Sequence, residues 1–267
     1  MLLVERGELF LSEDGMRKSN SFLVGLVAVG VAGAMASVSH AATVVLDDYS
    51  TNKSDSYTFA RTFPVPLDLP NSFAVTNDGR LTPTTIAGTT DTYIWNGAGL
   101  GVGDAVSLDV TFTTYTEDKQ AGLRLATGTD RASIQAGREY IVRIDTSGSN
   151  GKFYDFRSNG TNTELEGNLA AFGTLFNLTI ERLANAGNDA ALKITVKGGG
   201  FLEQSFNTTF ADAAAAPALY FGPDTYAAGG PGGVQFDNLT LTTVPEPASM
   251  LLLSTMGALA LRRRRQS

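Results

Sequence analysis

The chain has 267 residues, 43% of them hydrophobic and 18% charged, with a formal net charge of −7. That balance belongs to a folded protein rather than a disordered one. Cysteine is absent, which excludes disulfides and thiolate-ligated metals, and the single histidine is His40.

In chain order the first element is a leader over residues 1–41. Arg17 and Lys18 precede an apolar stretch from Phe22 to Val38, and Ser39, His40 and Ala41 follow. A basic start, an apolar core and small residues at the −3 and −1 positions make a secretory signal, cut between Ala41 and Ala42. The competing reading is a transmembrane helix that stays in place. The small-residue site, with no basic stop-transfer patch after it, favours cleavage. Residues 1–15 hold Glu5, Glu8, Glu13 and Asp14, which suit a signal badly, so Met16 is the more natural start. Cleavage also removes His40 and leaves a body with neither histidine nor cysteine.

The body then begins with Val44-Val45-Leu46-Asp47-Asp48-Tyr49-Ser50, the expected first strand. Short strand candidates follow at Asp91–Trp95 (DTYIW), Gly122–Ala126 (GLRLA), Phe153–Arg157 (FYDFR) and Ala218–Gly222 (ALYFG). Four longer runs alternate with a period of two, which sends one set of side chains to a core and the other to water. They are Val106, Leu108, Val110, Phe112; Tyr140, Val142, Ile144; Phe176, Leu178, Ile180; and Leu192, Ile194, Val196. Turn-rich stretches such as SGSNG, SNGTN, NAGND and GGPGG separate the strands. The Ala-rich segment at Ala211–Ala218 is cut by Pro217 and reads as a loop with one helical turn. In the last strand Val234 and Phe236 are two apart, as are Leu239 and Leu241, but Phe236 and Leu239 are three apart. The alternation slips at Asp237-Asn238, which predicts a β-bulge there.

Residues 42–247 carry 13 Lys and Arg against 23 Asp and Glu, a net −10. So acidic a surface argues against nucleic acid and anionic membranes as partners. About 200 residues suffice for one core, and no repeat or linker divides them. The expected fold is all-β: one antiparallel β-sandwich of jelly-roll type over 42–243, flanked by an N-terminal signal helix and a C-terminal transmembrane helix.

The remaining segment, 244–267, has a different logic. Val244-Pro245-Glu246-Pro247 precedes an apolar run from Ala248 to Leu261, and Arg262, Arg263, Arg264 and Arg265 follow at once. Fourteen helical residues reach only about 21 Å, short of a hydrocarbon core of about 30 Å. The span is marginal, helped by snorkelling arginines that keep the tail cytoplasmic. Pro245 and Pro247 stop a helix from running back into the body.

This tail resembles the PEP-CTERM sorting signal of Gram-negative bacteria. The motif, span and basic cluster occur in the expected order over the last two dozen residues. The resemblance implies export, transient membrane anchoring, handling by exosortase, a membrane protease or transpeptidase, and transfer to the cell surface or extracellular matrix. An ordinary C-terminal anchor containing prolines is the bland alternative. The closing Phe236-Asp237-Asn238-Leu239-Thr240-Leu241 and opening Val44–Ser50 are similar to the concanavalin A-like jelly rolls of laminin-G and glycanase type. That likeness implies paired first and last strands and, as a ligand class, carbohydrate.

Candidate chemistry in the body is sparse. Without histidine or cysteine, Ser-His-Asp and Cys-His systems and histidine-ligated zinc are excluded. Carboxylates remain. Glu164 and Glu166 are an incomplete glycanase-like pair, with two solvated loop acids as the plain alternative. Asp47, Asp48 and Asp237 are the residues that would surround a structural calcium ion, against ordinary surface acids. Trp95, with Tyr93, is a candidate sugar-stacking residue, against a core Trp. Gly97–Gly103 (GAGLGVG) lacks the lysine and helix of a phosphate loop and reads as a hairpin or wide loop. Asn177-Leu178-Thr179 reads as strand composition, not a glycosylation site. The expected function is therefore that of an exported, non-catalytic surface or matrix protein, with no catalytic or metal-ligating residue assigned and polysaccharide as the candidate ligand. The alternatives are a carboxylate-dependent carbohydrate-active hydrolase and a purely structural envelope protein.

Overall fold

The computed structural model describes residues 41–63, 67–68, 73–75, 79–83, 89–97, 99–113, 119–144, 151–157, 162–169, 175–198, 201–227 and 233–244. The expected signal helix, transmembrane segment and Arg tail lie outside them. Among the described residues no helix is long and apolar enough to cross a membrane. Ala41–Val244 form one compact unit.

Its strands are, in chain order, β1 (Ala42–Asp47), β2 (Tyr57–Phe63), β3 (Leu67–Asp68), β4 (Phe73–Val75), β5 (Leu81–Pro83), β6 (Thr89–Trp95), β7 (Ala105–Phe112) and β8 (Lys119–Ala126). Then follow β9 (Arg138–Ile144), β10 (Gly151–Arg157), β11 (Asn162–Leu169), β12 (Leu175–Arg182), β13 (Ala190–Gly198), β14 (Phe201–Phe210), β15 (Tyr220–Ala227) and β16 (Val234–Thr243). They form two antiparallel sheets. One runs β14-β13-β12-β7-β16-β5-β4, with β1 also on β16; the other runs β11-β10-β9-β8-β15-β6-β2-β3. The molecule is an antiparallel β-sandwich of jelly-roll type.

Three of the four alternating runs build the first sheet, and the fourth, Tyr140, Val142 and Ile144, is β9 of the second. In β7 and β12 every second residue is buried, and β13 repeats the pattern. Val106, Leu108, Val110, Phe176, Leu178, Ile180, Leu192, Ile194 and Val196 are all buried in one core. Facing them from the second sheet are Leu123, Leu125, Tyr140, Val142, Phe153 and Phe221. Phe112 and Phe176 meet edge to face with centroids 5.9 Å apart, the geometry that the ring quadrupole favours.

The second sheet departs from simple alternation. Every described side chain from Arg138 to Val142 is buried, and so is all of Ala121–Ala126. The cause is a cover on the outer face. The β8–β9 connection carries a five-residue helix, Arg131–Gln135, N-capped by Asp130, whose Oδ1 accepts the Ser133 N–H at 3.0 Å. Ile134 of this helix packs with Ile94 and Ala126 in a second small apolar cluster. Beneath it Arg124 pairs with Glu139, directly opposite in register, and donates from Nη1 to the Ile134 carbonyl at 2.7 Å.

The bulge expected at Asp237-Asn238 is present. The β16–β7 register shifts between Asp237 and Thr240, and Asn238 adopts a left-handed φ of 50°, a conformation that asparagine tolerates better than most residues. The expected pairing of first and last strands is present as well: β1 runs antiparallel to β16 from Ala42 opposite Thr243 to Asp47 opposite Leu239. The glycine-rich stretch is the wide loop of the two alternatives. It carries the chain from one sheet to the other, pinned midway by the bridge of Leu100 to Leu219. A side chain at Gly99 would strike Ala218.

Leu178→Ala is expected to destabilise the sandwich by about 3 kcal/mol, through lost transfer energy and the cavity left behind. Lys197→Ala, at an exposed position of the neighbouring strand, should stay within about 0.5 kcal/mol. Urea denaturation of the two variants against the parent measures both.

Candidate functional site

The described residues end where the tail begins. Val244, the residue after β16, donates its N–H to Asp104 Oδ1 at 3.1 Å. The other oxygen of Asp104 accepts the Gly101 N–H at 2.9 Å. One carboxylate thus joins the glycine-rich loop to the end of the last strand. On the opposite edge of β16, Ala42 faces Thr243, and the Thr43 and Thr242 hydroxyls are 2.8 Å apart. Ala41 and Ala42, the expected signal cleavage site, are exposed. The two ends of the folded body therefore leave it side by side. Pro245, Glu246, Pro247 and Arg262–Arg265 lie outside the described residues.

The segment that leaves at Val244 is identified by its sequence. Residues 243–266 match the PEP-CTERM protein-sorting motif. The sorting motif implies export, a membrane-anchored intermediate and processing by exosortase. Its match begins on Thr243, the last residue of β16, so no spacer separates it from the sandwich. No curated protein matches the chain. Among solved structures the body is similar to the seed lectin (isoform) of Lotus tetragonolobus, at 13% identity over 78% of this chain and 100% of that one, with a TM-score of 0.49. It is also similar to the marine PL-14 alginate lyase from Aplysia kurodai, at 16% identity, 72% and 88% coverage and a TM-score of 0.42. A third is the CBM2 module of the evolved Dit of Lactobacillus casei BL23 phage J-1, at 13% identity, 77% and 99% coverage and a TM-score of 0.49.

The three aspartates proposed around calcium do not form a cage. Among the described residues no group of three or more acidic, histidine or cysteine side chains could hold a metal ion. The reason is that each aspartate is already engaged. Asp47 is fully buried. Its Oδ1 accepts the Tyr49 N–H at 2.8 Å, its Oδ2 accepts the Tyr57 hydroxyl at 3.1 Å, and Lys53 Nζ stands 3.6 Å away. Tyr49 itself holds a φ of 53° while wholly buried, a strained arrangement that the packed surroundings must over-determine. Burial pushes both phenols well above their ordinary range, so they act as neutral donors and acceptors. Asp48 is exposed and closes its own turn, accepting from the Ser50 hydroxyl at 2.7 Å, and that bond holds its pKa down.

Asp237 lies at the bulge, opposite Asp109 in the β16–β7 ladder. Its Oδ1 accepts the Asn238 N–H at 2.8 Å, and Arg80 Nε is 3.9 Å from Oδ2. Asp109 is held by Asn177 Nδ2 at 2.8 Å and Asn238 Nδ2 at 3.0 Å. Asn177 thus belongs to the polar ladder on the outer face of the first sheet. Burial raises the Asp237 pKa, and the Asp109 and Asp48 carboxylates add to that, against the Asn238 N–H and Arg80.

The other candidates resolve as follows. Tyr93 is fully buried and Trp95 half-buried; the Trp95 ring meets Tyr57 edge to face at 5.1 Å. Trp95 thus packs against the core rather than standing free for a sugar. Glu164 and Glu166 belong to an edge strand, β11, not to a loop, because β10 supplies a ladder for them: Glu164 is opposite Tyr154 and Glu166 opposite Phe153.

One row was not expected. Gln120, Arg143 and Lys152 are directly opposite one another on β8, β9 and β10, and all three are half-buried. Such neighbours share one face with Cβ atoms about 5 Å apart. Each residue looks like an ordinary polar strand position in sequence, and only the register joins them.

Because the folded pKa of Asp237 is raised, its favourable contribution is complete below the unfolded carboxylate value and is lost as pH rises through the folded one. Asp237→Asn keeps an acceptor for the Asn238 N–H without the charge. It should raise the melting temperature at pH 7 relative to the parent, and the difference should shrink toward pH 4. Thermal melts of both proteins from pH 4 to 8 measure this.

Proposed function

We propose that this chain is an exported, non-catalytic protein of the cell surface or extracellular matrix. Its sandwich is delivered by exosortase-type processing and binds extracellular polysaccharide. The observation that carries the reading is the sorting motif at 243–266, starting on the final residue of the last strand. The compact unit ends at Val244, so processing can remove the apolar run and the arginines without cutting any strand of the sandwich.

The absence of histidine and cysteine after Ala41 supports binding without turnover. Glycoside hydrolysis by carboxylates needs an acid and a partner whose environments set their pKa values apart. In sequence Glu164 and Glu166 form only an incomplete glycanase-like pair, with Gly167, Asn168 and Leu169 following. For the ligand, the row of Gln120, Arg143 and Lys152 supports an acidic polysaccharide, as a local exception to a surface that otherwise repels polyanions. It gathers two cations and an amide on one face of a body whose net charge is −10.

Mass spectrometry of the protein recovered from the surface of its native host should show a chain ending near Pro245–Pro247. Retention of Arg262–Arg265 would overturn the sorting reading. That mature protein, screened against acidic and neutral polysaccharides, should bind acidic ones, and Arg143→Ala with Lys152→Ala should weaken binding about tenfold or more, the scale of two charge-assisted contacts. Release of reducing sugar, abolished by Glu164→Gln or Glu166→Gln, would make the protein a hydrolase instead.

A further inference from the structure

The sorting motif is tethered to the sandwich very tightly. From Val244, held by Asp104, to Ala248 at the start of the apolar run there are four residues, which reach at most about 14 Å when fully extended. Any enzyme that acts on Pro245–Pro247 while Ala248–Leu261 lies in the membrane therefore works directly against the end of the folded body.

That end has an unusual surface. Among the described residues the exposed large hydrophobics are Val44, Val45, Val102, Leu175 and Val244. All but Leu175 belong to β1, to the glycine-rich loop or to the residue after β16. Val102 adjoins Gly103, which lies against the Val244 side chain. Val44 is two residues from Ala42, which faces Thr243, so it lies about 7 Å along the strand from the junction. Val44 and Val45 are both exposed although successive strand residues point to opposite faces, so β1 presents an apolar side chain on each face. No Lys or Arg occurs in residues 41–46, 99–104 or 240–244. The cations that reach it are held by main-chain carbonyls: Lys53 Nζ donates to Leu46 O at 3.2 Å and Arg182 Nη1 to Leu100 O at 2.9 Å. Charge for anionic lipid headgroups is therefore sparse, whereas apolar residues along the outer edge of β1 suit a protein partner.

We infer that Val44, Val45, Val102 and Val244, with the edge of β1 that no described strand covers, form the docking surface for the membrane enzyme that processes the sorting motif. This rests on the exosortase reading above. The body of the protein is then part of what the enzyme recognises, and the short tether sets the register between that surface and the motif.

The test follows tail removal in the native host over time, by mass spectrometry of the full-length protein. Val45→Asp with Val102→Asp, both far from the motif in sequence, should slow processing at least fivefold while export, signal cleavage and melting temperature stay unchanged. Ten Gly and Ser residues inserted between Val244 and Pro245 add about 33 Å of reach and let the motif enter the enzyme without contact from the body. In that background the two aspartates should have no effect. Equal slowing with and without the insertion, or no slowing at all, overturns the inference. So does binding of the mature protein to phosphatidylethanolamine–phosphatidylglycerol vesicles through the same valines, which would assign the surface to lipid. An unaltered protein that keeps Arg262–Arg265 overturns the sorting reading itself, a result the variants cannot mimic because the parent chain alone reports it.

Discussion

The first sheet depends on one strand. β16 holds β7 along one edge and both β5 and β1 along the other, and the bulge at Asp237-Asn238 divides that second edge between them. Without β16 the ladder from β14 to β7 has no connection to β1, β4 and β5. Yet β16 is the last element of the body, and its pairing with β1 joins residues as much as 201 apart, Ala42 and Thr243. Closing so long a loop costs only modestly more entropy than closing a short one, but it delays folding, because non-local pairing must wait for its partner. In an exported chain the partner arrives last. The first sheet can close only once the last strand of the body is available, and the sorting motif is the next stretch to follow.

Among the described residues, buried charge joins one element to another. Arg124 and Glu139 lie under the helix of the β8–β9 connection and tie it down through the Ile134 carbonyl. Arg138 and Asp155 pair between β9 and β10, and the Thr208 hydroxyl of β14, in the other sheet, approaches both at 3.3 and 3.2 Å. Arg182 donates to the Leu100 carbonyl at 2.9 Å and so holds the loop that crosses between sheets. Buried ion pairs add little net stability compared with apolar packing, but losing one partner leaves a desolvated charge worth several kcal/mol. Their effect is to exclude other arrangements of the loops.

What the sequence disclosed follows from which faces are wet. β7, β12 and β13 have one face in solvent, so the period of two survives and their core residues could be named directly. In β9 the alternation named Tyr140 and Val142 as core residues, but Arg138, Glu139 and Ile141 between and beside them are buried as well, and in β8 all of Ala121–Ala126 is buried, so there the period of two does not mark a wet face. The Arg131–Gln135 helix was missed because five residues are too few for a helical period, although Asp130 and Ser133 carry a cap signal. β2 to β5 offered no clean alternation, and two of these strands have only three residues. The tail was legible because its order of motif, apolar run and arginines is local. The setting of Asp47 was not, because Tyr57 and Lys53 reach it only through tertiary structure, and the row of Gln120, Arg143 and Lys152 exists only in the register.

The placement of β16 also has a mechanical consequence. If the mature protein is held at its new C-terminus while its surface grips a polysaccharide, tension enters the body at Val244 and runs along the axis of β16. The strand is flanked by β7 on one side and by β1 and β5 on the other, so its hydrogen bonds are strained together, in shear, rather than opened one after another as in a peeled hairpin. Bonds that must fail together resist force far better than bonds that fail in turn. A tether that emerges from the middle of a sheet is a fitting attachment point for a protein under tension.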